Sequence, residues 1–279
     1  MKRIIFTFCC SMLLLTAAAQ NIIRPKIAGP NGLWVNSYNG VLFFGQTDFE
    51  TQNSAMPMEL RFYYNSSSHN TNYGYGLGFS LGYEMRYEIA DNGDVTIYQG
   101  DGRSDTFKRY GNDFEAPAGV FSKLTMEDDT YTVTEKTGEK HIFGNSTYKK
   151  LTAEVDRFGN RTDLTYQDSL LVQIKDAVGH TINLEYTNGM MTRATASFLN
   201  GAFTYQYDAK NRLRKRTDAM GFSTLYDYDK DNHIDEITDA NGNKTVIAYN
   251  SAGMVGRMKT DVTDKSIRYD GDKTVFIDY

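Results

Sequence analysis

The sequence predicts an all-β chain built from consecutive β-hairpins, and three observations carry that prediction. Turn residues recur at a fixed spacing from about residue 150 onward. The segments between them alternate apolar and polar side chains with a period of two, the mark of half-buried strands. The composition agrees: 20 Tyr, 16 Phe and 24 Gly stand against only 4 Pro, which suits many short strands joined by tight turns. Hydrophobic residues make up 40% of the 279, enough to bury a sizeable core.

The repeat is read from Asp156-Arg-Phe-Gly159 followed by Tyr166, and Asp176-Ala-Val-Gly179 followed by Tyr186. It continues in Asp218-Ala-Met-Gly221 followed by Tyr228, and Asp239-Ala-Asn-Gly242 followed by Tyr249. Gly lies three residues after Asp and Tyr ten after it; the starts are separated by 20, 42 and 21 residues. The long gap holds a degenerate unit, Ser197 to Tyr207, with its Gly201 displaced by one, and a weaker sixth unit begins near Asp261. Asp-x-x-Gly is a turn: the Asp side chain accepts from nearby amides and Gly supplies the positive φ. A second turn follows each Tyr, as in Asp208-Ala-Lys-Asn211 or Asp229-Lys-Asp-Asn232. One unit is therefore one hairpin. A lone hairpin is marginal in water, so stacked units must share one apolar face, with the tyrosines as a ladder along it.

Residues ahead of the repeats also read as strands and turns. Glu59 to Tyr64 alternates, and Tyr83 to Ile89 alternates before a hairpin turn at Asn92-Gly93 that Asp94 to Tyr98 answers. With no Pro/Ser-rich linker in between, head and array are expected to form one continuous sheet. The division expected is residues 1–19 as a signal peptide, 20–150 as a β head domain, and 151–279 as the hairpin array. The signal is read from Lys2 and Arg3, an uncharged apolar run from Ile4 to Leu15, and Ala17 to Ala19 before Gln20. That run is too short to span a bilayer, which takes about 20 apolar residues. An exported chain follows, periplasmic, surface-bound or secreted. Cleavage removes Cys9 and Cys10, the only two cysteines, and with them any disulfide or Zn–Cys site. It also leaves 28 basic residues against 35 acidic, so the net charge moves from −5 to −7 and argues against a nucleic-acid partner. The one basic cluster, Arg212, Arg214, Lys215 and Arg216, reads as a solvated strand face beside Asp208 and Asp218.

The array resembles the YD repeats of Rhs proteins, most closely in Tyr207-Asp208-Ala-Lys-Asn211-Arg212-Leu213 running to Asp218-Ala-Met-Gly221. The head is similar to the domain preceding those repeats, through Thr47-Asp48-Phe49, Pro57-Met-Glu-Leu60-Arg61, Gly74-Tyr-Gly76-Leu-Gly78-Phe79 and Gly100-Asp101-Gly102-Arg103. The resemblance implies a sheet that spirals into a hollow shell, often around a toxic C-terminal cargo, with no catalytic site in the repeats. It departs from the family in lacking the Asp-Pro-x-Gly-Leu self-cleavage segment and a cargo domain, and in having too few repeats to close a shell. The expected partners are therefore further repeats, a cargo or another chain at the open strand Thr274 to Tyr279; an unpaired apolar edge is prone to associate.

Candidate chemistry is sparse. Gly78-Phe-Ser80-Leu-Gly82 fits a hydrolase nucleophile pattern, but that elbow must join a strand to a helix, and here strand pattern follows. His69, His141, His180 and His233 have no metal-ligand spacing and read as surface or turn residues. Asp227 to Asn232 lacks the Gly and Glu of a helix–loop–helix Ca²⁺ loop. No cofactor is expected. The tyrosines read as packing between layers; the alternative is a surface module that stacks glycan, or a partner protein, on exposed rings.

Overall fold

The computed structural model describes residues 26–51, 56–144, 147–270 and 273–278. The signal-peptide reading of residues 1–19, with Cys9 and Cys10, lies outside them. The described residues are strands and turns, plus two single-turn 3₁₀ segments at Pro30–Gly32 and Ser66–Ser68. The fold is all-β, as the repeat pattern predicts.

Three sheets follow one another along the chain. The first has five strands, from Lys26–Ala28 to Phe79–Leu81, and the second has four, from Arg86–Ile89 to Asp113–Glu115. The third has sixteen, from Lys123–Glu127 to Lys273–Asp278, each antiparallel to the next in strict chain order. The expected single continuous sheet is thus broken twice, and each break has a cause. Tyr83, Glu84 and Met85 are all buried, which a half-buried strand cannot do, so the strand expected from Tyr83 starts at Arg86 instead. At the second break, the Val120 amide donates to the Pro117 carbonyl, closing a turn in which Pro117 offers no N–H to a ladder. The long sheet begins at Lys123, well ahead of residue 150, where the repeats become legible.

The core lies between the five-stranded sheet and the array. Ring centroids meet across it at 4.7 Å for Phe49–Phe203, 5.3 Å for Phe62–Tyr205 and 5.6 Å for Phe79–Tyr226. The alternation read from the sequence places Ile182 and Leu184, or Thr245 and Ile247, on this inner face. The four-stranded sheet covers the first strands of the array, where Tyr87 meets Tyr131 at 4.7 Å. Gly100, on the turn between Val95–Tyr98 and Ser104–Tyr110, presses against the first sheet: a Cβ there meets the Leu81 carbonyl oxygen at 2.2 Å.

Candidate functional site

The repeat turns share one geometry on both rims of the array. In Asp156, Asp176, Asp218 and Asp239 the carboxylate Oδ1 accepts from the amides two and four residues on, at 2.8–3.1 Å. The glycines Gly159, Gly179, Gly221 and Gly242 take φ between 86° and 97°. This is a type I turn closed by a left-handed residue. On the other rim Asp208 and Asp229 repeat it with Asn211 and Asn232 at φ 60° and 70°. The residue after the left-handed position commonly turns back to Asp Oδ2: Asn160 at 2.7 Å, His180 at 2.8 Å, Arg212 at 2.8 Å and Asn243 at 2.8 Å. Sequence reading missed this donor, although its polar identity at a fixed offset was visible.

These bonds set an acid limit. Side-chain donation from Asn160 and Asn243 holds Asp156 and Asp239 below the usual carboxylate range. Asp208 is also held low: burial pushes it up, but the Arg212 amide and guanidinium outweigh that. Because the folded values are depressed, this stability is complete above the unfolded value near 4 and is lost as pH falls through the folded values. Thermal melts stepped downward from neutral pH should show an acid decline that Asp239→Asn makes shallower, since Asn keeps the turn acceptor and does not titrate.

Each repeat tyrosine marks a β-bulge. Register shifts fall beside Tyr166, Tyr186, Tyr207, Tyr228 and Tyr249, so two residues of the next strand oppose one. A bulge disrupts the ladder and leaves backbone groups to be satisfied otherwise. Here the following tyrosine does it. Tyr186 Oη donates to the Leu171 carbonyl at 2.9 Å, Tyr207 to Met191 at 2.7 Å and Tyr228 to Leu213 at 2.8 Å. Tyr249 donates to Ile234 at 2.9 Å and Tyr269 to Val255 at 2.8 Å. Each accepting residue is the one paired with the preceding tyrosine. Burial pushes the hydroxyls of Tyr186, Tyr207, Tyr228 and Tyr249 above the ordinary value and Tyr269 up to about 12, so all remain donors. The rings pack against the core rather than presenting faces for stacking. Tyr228→Phe keeps the ring and orphans the Leu213 carbonyl. It should cost about 1–2 kcal/mol in urea unfolding, whereas Tyr110→Phe, on an exposed ring, should change little.

The head closes the other half of three of these bulges. The Met191 amide donates to the Gly74 carbonyl at 2.8 Å, Ile234 to Tyr64 Oη at 2.9 Å and Val255 to the Gly40 carbonyl at 2.9 Å. The same residues thus give their carbonyls to the tyrosine hydroxyls and their amides to the head. Between these contacts sits a buried polar bridge. Asp48 Oδ1 accepts from Arg216 Nε at 2.7 Å and lies 2.5 Å from a terminal guanidinium nitrogen; Tyr205 Oη donates to its other oxygen. Gln46, with its amide oriented to satisfy both neighbours, accepts from Arg216 Nε at 3.0 Å and donates to Tyr226 Oη at 2.8 Å. The Asp48 side chain is 0% and that of Arg216 12% exposed. Burial works against the Asp48 charge, and Arg216 works for it. The Asp48 charge in turn outweighs burial at Arg216 and raises its value.

The other sequence-derived candidates fall as follows. Ser80 sits mid-strand in Phe79–Leu81, and its Oγ donates to the Gly100 carbonyl at 2.6 Å. Among the described residues no histidine or carboxylate hydrogen-bonds to it. The basic cluster does not form one solvated face: Arg212 pairs with Asp208 and Arg214 with Asp227, while Arg216 points inward to Asp48. The alternation that puts Arg214 and Arg216 on one strand face could not show that the bulge redirects it. Asp229 is consumed by its own turn and by His233. His233 is buried, contrary to a surface reading; it stacks on Tyr249 at 4.6 Å and meets His69 of the head at a tilt, with centroids 4.1 Å apart. His180 is a turn residue as expected. A polar cleft of about 690 Å³ lies where the sheets meet, with Arg61, Arg103, His141 and Glu154 among its walls. Glu154, 3.2 Å from His141, raises the imidazole above its ordinary value despite burial, which lowers it.

The RHS Repeat family model matches residues 207–244, the stretch that holds two of these bulges and the Arg216 bridge. Residues 207–244 are therefore an RHS repeat. A domain of unknown function, DUF6531, matches residues 32–107 and so covers most of the head that caps the RHS array. Among solved structures the chain is similar to the crystal structure of TcdB2-TccC3-TEV, at 12% identity and a TM-score of 0.36 over 85% of this chain. A Photorhabdus luminescens Tc holotoxin pore matches with the same identity, coverage and TM-score. TcdB2-TccC3 without its hypervariable C-terminal region matches at 12% identity and 0.37. The RHS-repeat chain spans 12% of the length of each of these chains. No curated protein matches it.

Proposed function

We propose that this RHS-repeat chain is a non-catalytic, exported wall segment of a larger shell that encloses or presents a toxin or a surface assembly. The observation that supports this most is the use made of the polar groups on the inner face. Tyrosine hydroxyls, bulge carbonyls, bulge amides and the Asp48–Arg216 bridge satisfy one another, which rigidifies a wall. Export rests on the pattern from Lys2 to Ala19. Further hairpins, of this chain or another, add antiparallel to Lys273–Asp278, as each strand of the array adds to the one before it. The second reading, a module that binds glycan or a partner protein, draws on Tyr38 and Tyr110, 74% and 81% exposed on the head. No helix of the described residues is long and apolar enough to cross a membrane, which leaves strand-built spans untouched.

The test is the mass, location and company of the product in its own cells. A wall segment is recovered outside the cytoplasm, without Met1 to Ala19, in a complex whose other polypeptide resists protease until the complex is unfolded. A serine-reactive probe leaves Ser80 unlabelled. An exported, uncomplexed protein whose turnover disappears in Ser80→Ala, with the fold intact, contradicts the proposal. Glycan retention lost in Tyr38→Ala and Tyr110→Ala moves the second reading ahead.

A further inference from the structure

We propose that one rim of the RHS array is a self-association surface that seats a second copy of this chain. In an antiparallel sheet in strict chain order, alternate turns lie on the same rim. The rim of the Asp-x-x-Gly turns exposes Phe158 at 75%, Val178 at 66%, Met220 at 82% and Val262 at 89%, with Leu199 at 45% on the degenerate unit; the turn between Met220 and Val262 carries Asn241 at this position. At the same positions on the opposite rim stand Lys210, Asp231 and Ala252. Three turns of the opposite rim, at Asp208, Asp229 and Asn250, are built like those at Asp156, Asp176 and Asp218, with the same Asx bonds and a left-handed residue at the same position, so the turn itself does not require an apolar tip. The apolar identity on one rim is therefore a property of what meets it.

Pitch, charge and area point to a second copy. The tips recur every second strand, about 9.6 Å apart at a strand spacing of about 4.8 Å. Another copy of the array carries a row of the same pitch, and a two-fold axis makes such a row self-complementary. The carboxylates of Asp156, Asp176 and Asp218 are turned onto their own turn amides, so they bring their own hydrogen-bond donors when two rims meet, and the Arg157 guanidinium lies 4.6 Å over the Phe158 ring. The exposed tips together present apolar surface on the order of several hundred Å², the size that marks a contact site on a soluble protein. Flanking turn residues extend it toward the roughly 800 Å² per partner of a standard interface.

Sedimentation of the full chain across a concentration series tests this. The expected result is a reversible dimer whose dissociation constant weakens about 100-fold in Phe158→Ser/Met220→Ser/Val262→Ser. The opposite-rim variant Lys210→Ser/Lys230→Ser leaves it unchanged. Both variants alter exposed turn tips and should match the parent in circular dichroism and melting temperature. A chain that stays monomeric overturns the proposal. So does an oligomer insensitive to the three serines, which would place association on the Lys273–Asp278 edge.

Discussion

Asp48→Ala is expected to destabilise the RHS-repeat chain by about 3–5 kcal/mol, because it leaves a buried guanidinium without its counter-ion. Arg216 would keep only the Gln46 carbonyl, and Tyr205 would lose its acceptor in the core. Against a typical total of about 5–15 kcal/mol this is a large fraction. The loss should appear as a lower urea midpoint with an unchanged slope. Asp48→Leu with Arg216→Met should recover most of it, since a well-packed apolar pair of similar volume often replaces a buried ion pair without penalty. A single Asp48→Ala within 1 kcal/mol of the parent would mean that the bridge contributes little to holding head and array together.

Gly40→Ala should cost about 3 kcal/mol for a different reason. Gly40 has φ +67°, a region that L side chains avoid at roughly 1–2 kcal/mol. A Cβ there also meets Met254 Cβ at 2.3 Å and Met254 Cα at 2.9 Å. Part of that contact is backbone, so a rotamer change does not relieve it, and forced overpacking adds about 1–3 kcal/mol. The Gly40 carbonyl also accepts the Val255 bulge amide, so the head must lift locally to make room. Gly111→Ala is the control: it too has a positive φ, but nothing lies within 4 Å, so only the backbone cost should remain.

The hairpin array was legible because its information is local. Asp, Gly and Tyr at fixed offsets specify a turn and a strand within a dozen residues, and the structure builds those turns and strands, while in the degenerate copy the turn falls at Ser197-Phe198 and Gly201 lies inside the strand Leu199–Tyr207. The sheet breaks were not legible, since they depend on Tyr83, Glu84 and Met85 all finding burial against other sheets. The role of the tyrosine hydroxyl was hidden for the same reason. Its partner carbonyl lies 14–16 residues back and is free only because a bulge has formed. Asp48 and Arg216, 168 residues apart, gave no pattern that could join them, and Arg216 looked like one member of a solvated basic cluster. His69 and His233 are likewise brought together only by the docking of the head.

The central claim is that the head seals three bulges of the array, so that the two form one folded unit. Amide hydrogen exchange at Met191, Ile234 and Val255 tests it most directly. These amides have no partner in the sheet ladder; their acceptors are Gly74, Tyr64 and Gly40 of the head. The account predicts that all three exchange only through global unfolding, as slowly as core strand amides such as Ile182. Exchange at the rate of the open turns, with the core strands still protected, would contradict it and leave the array standing without its head.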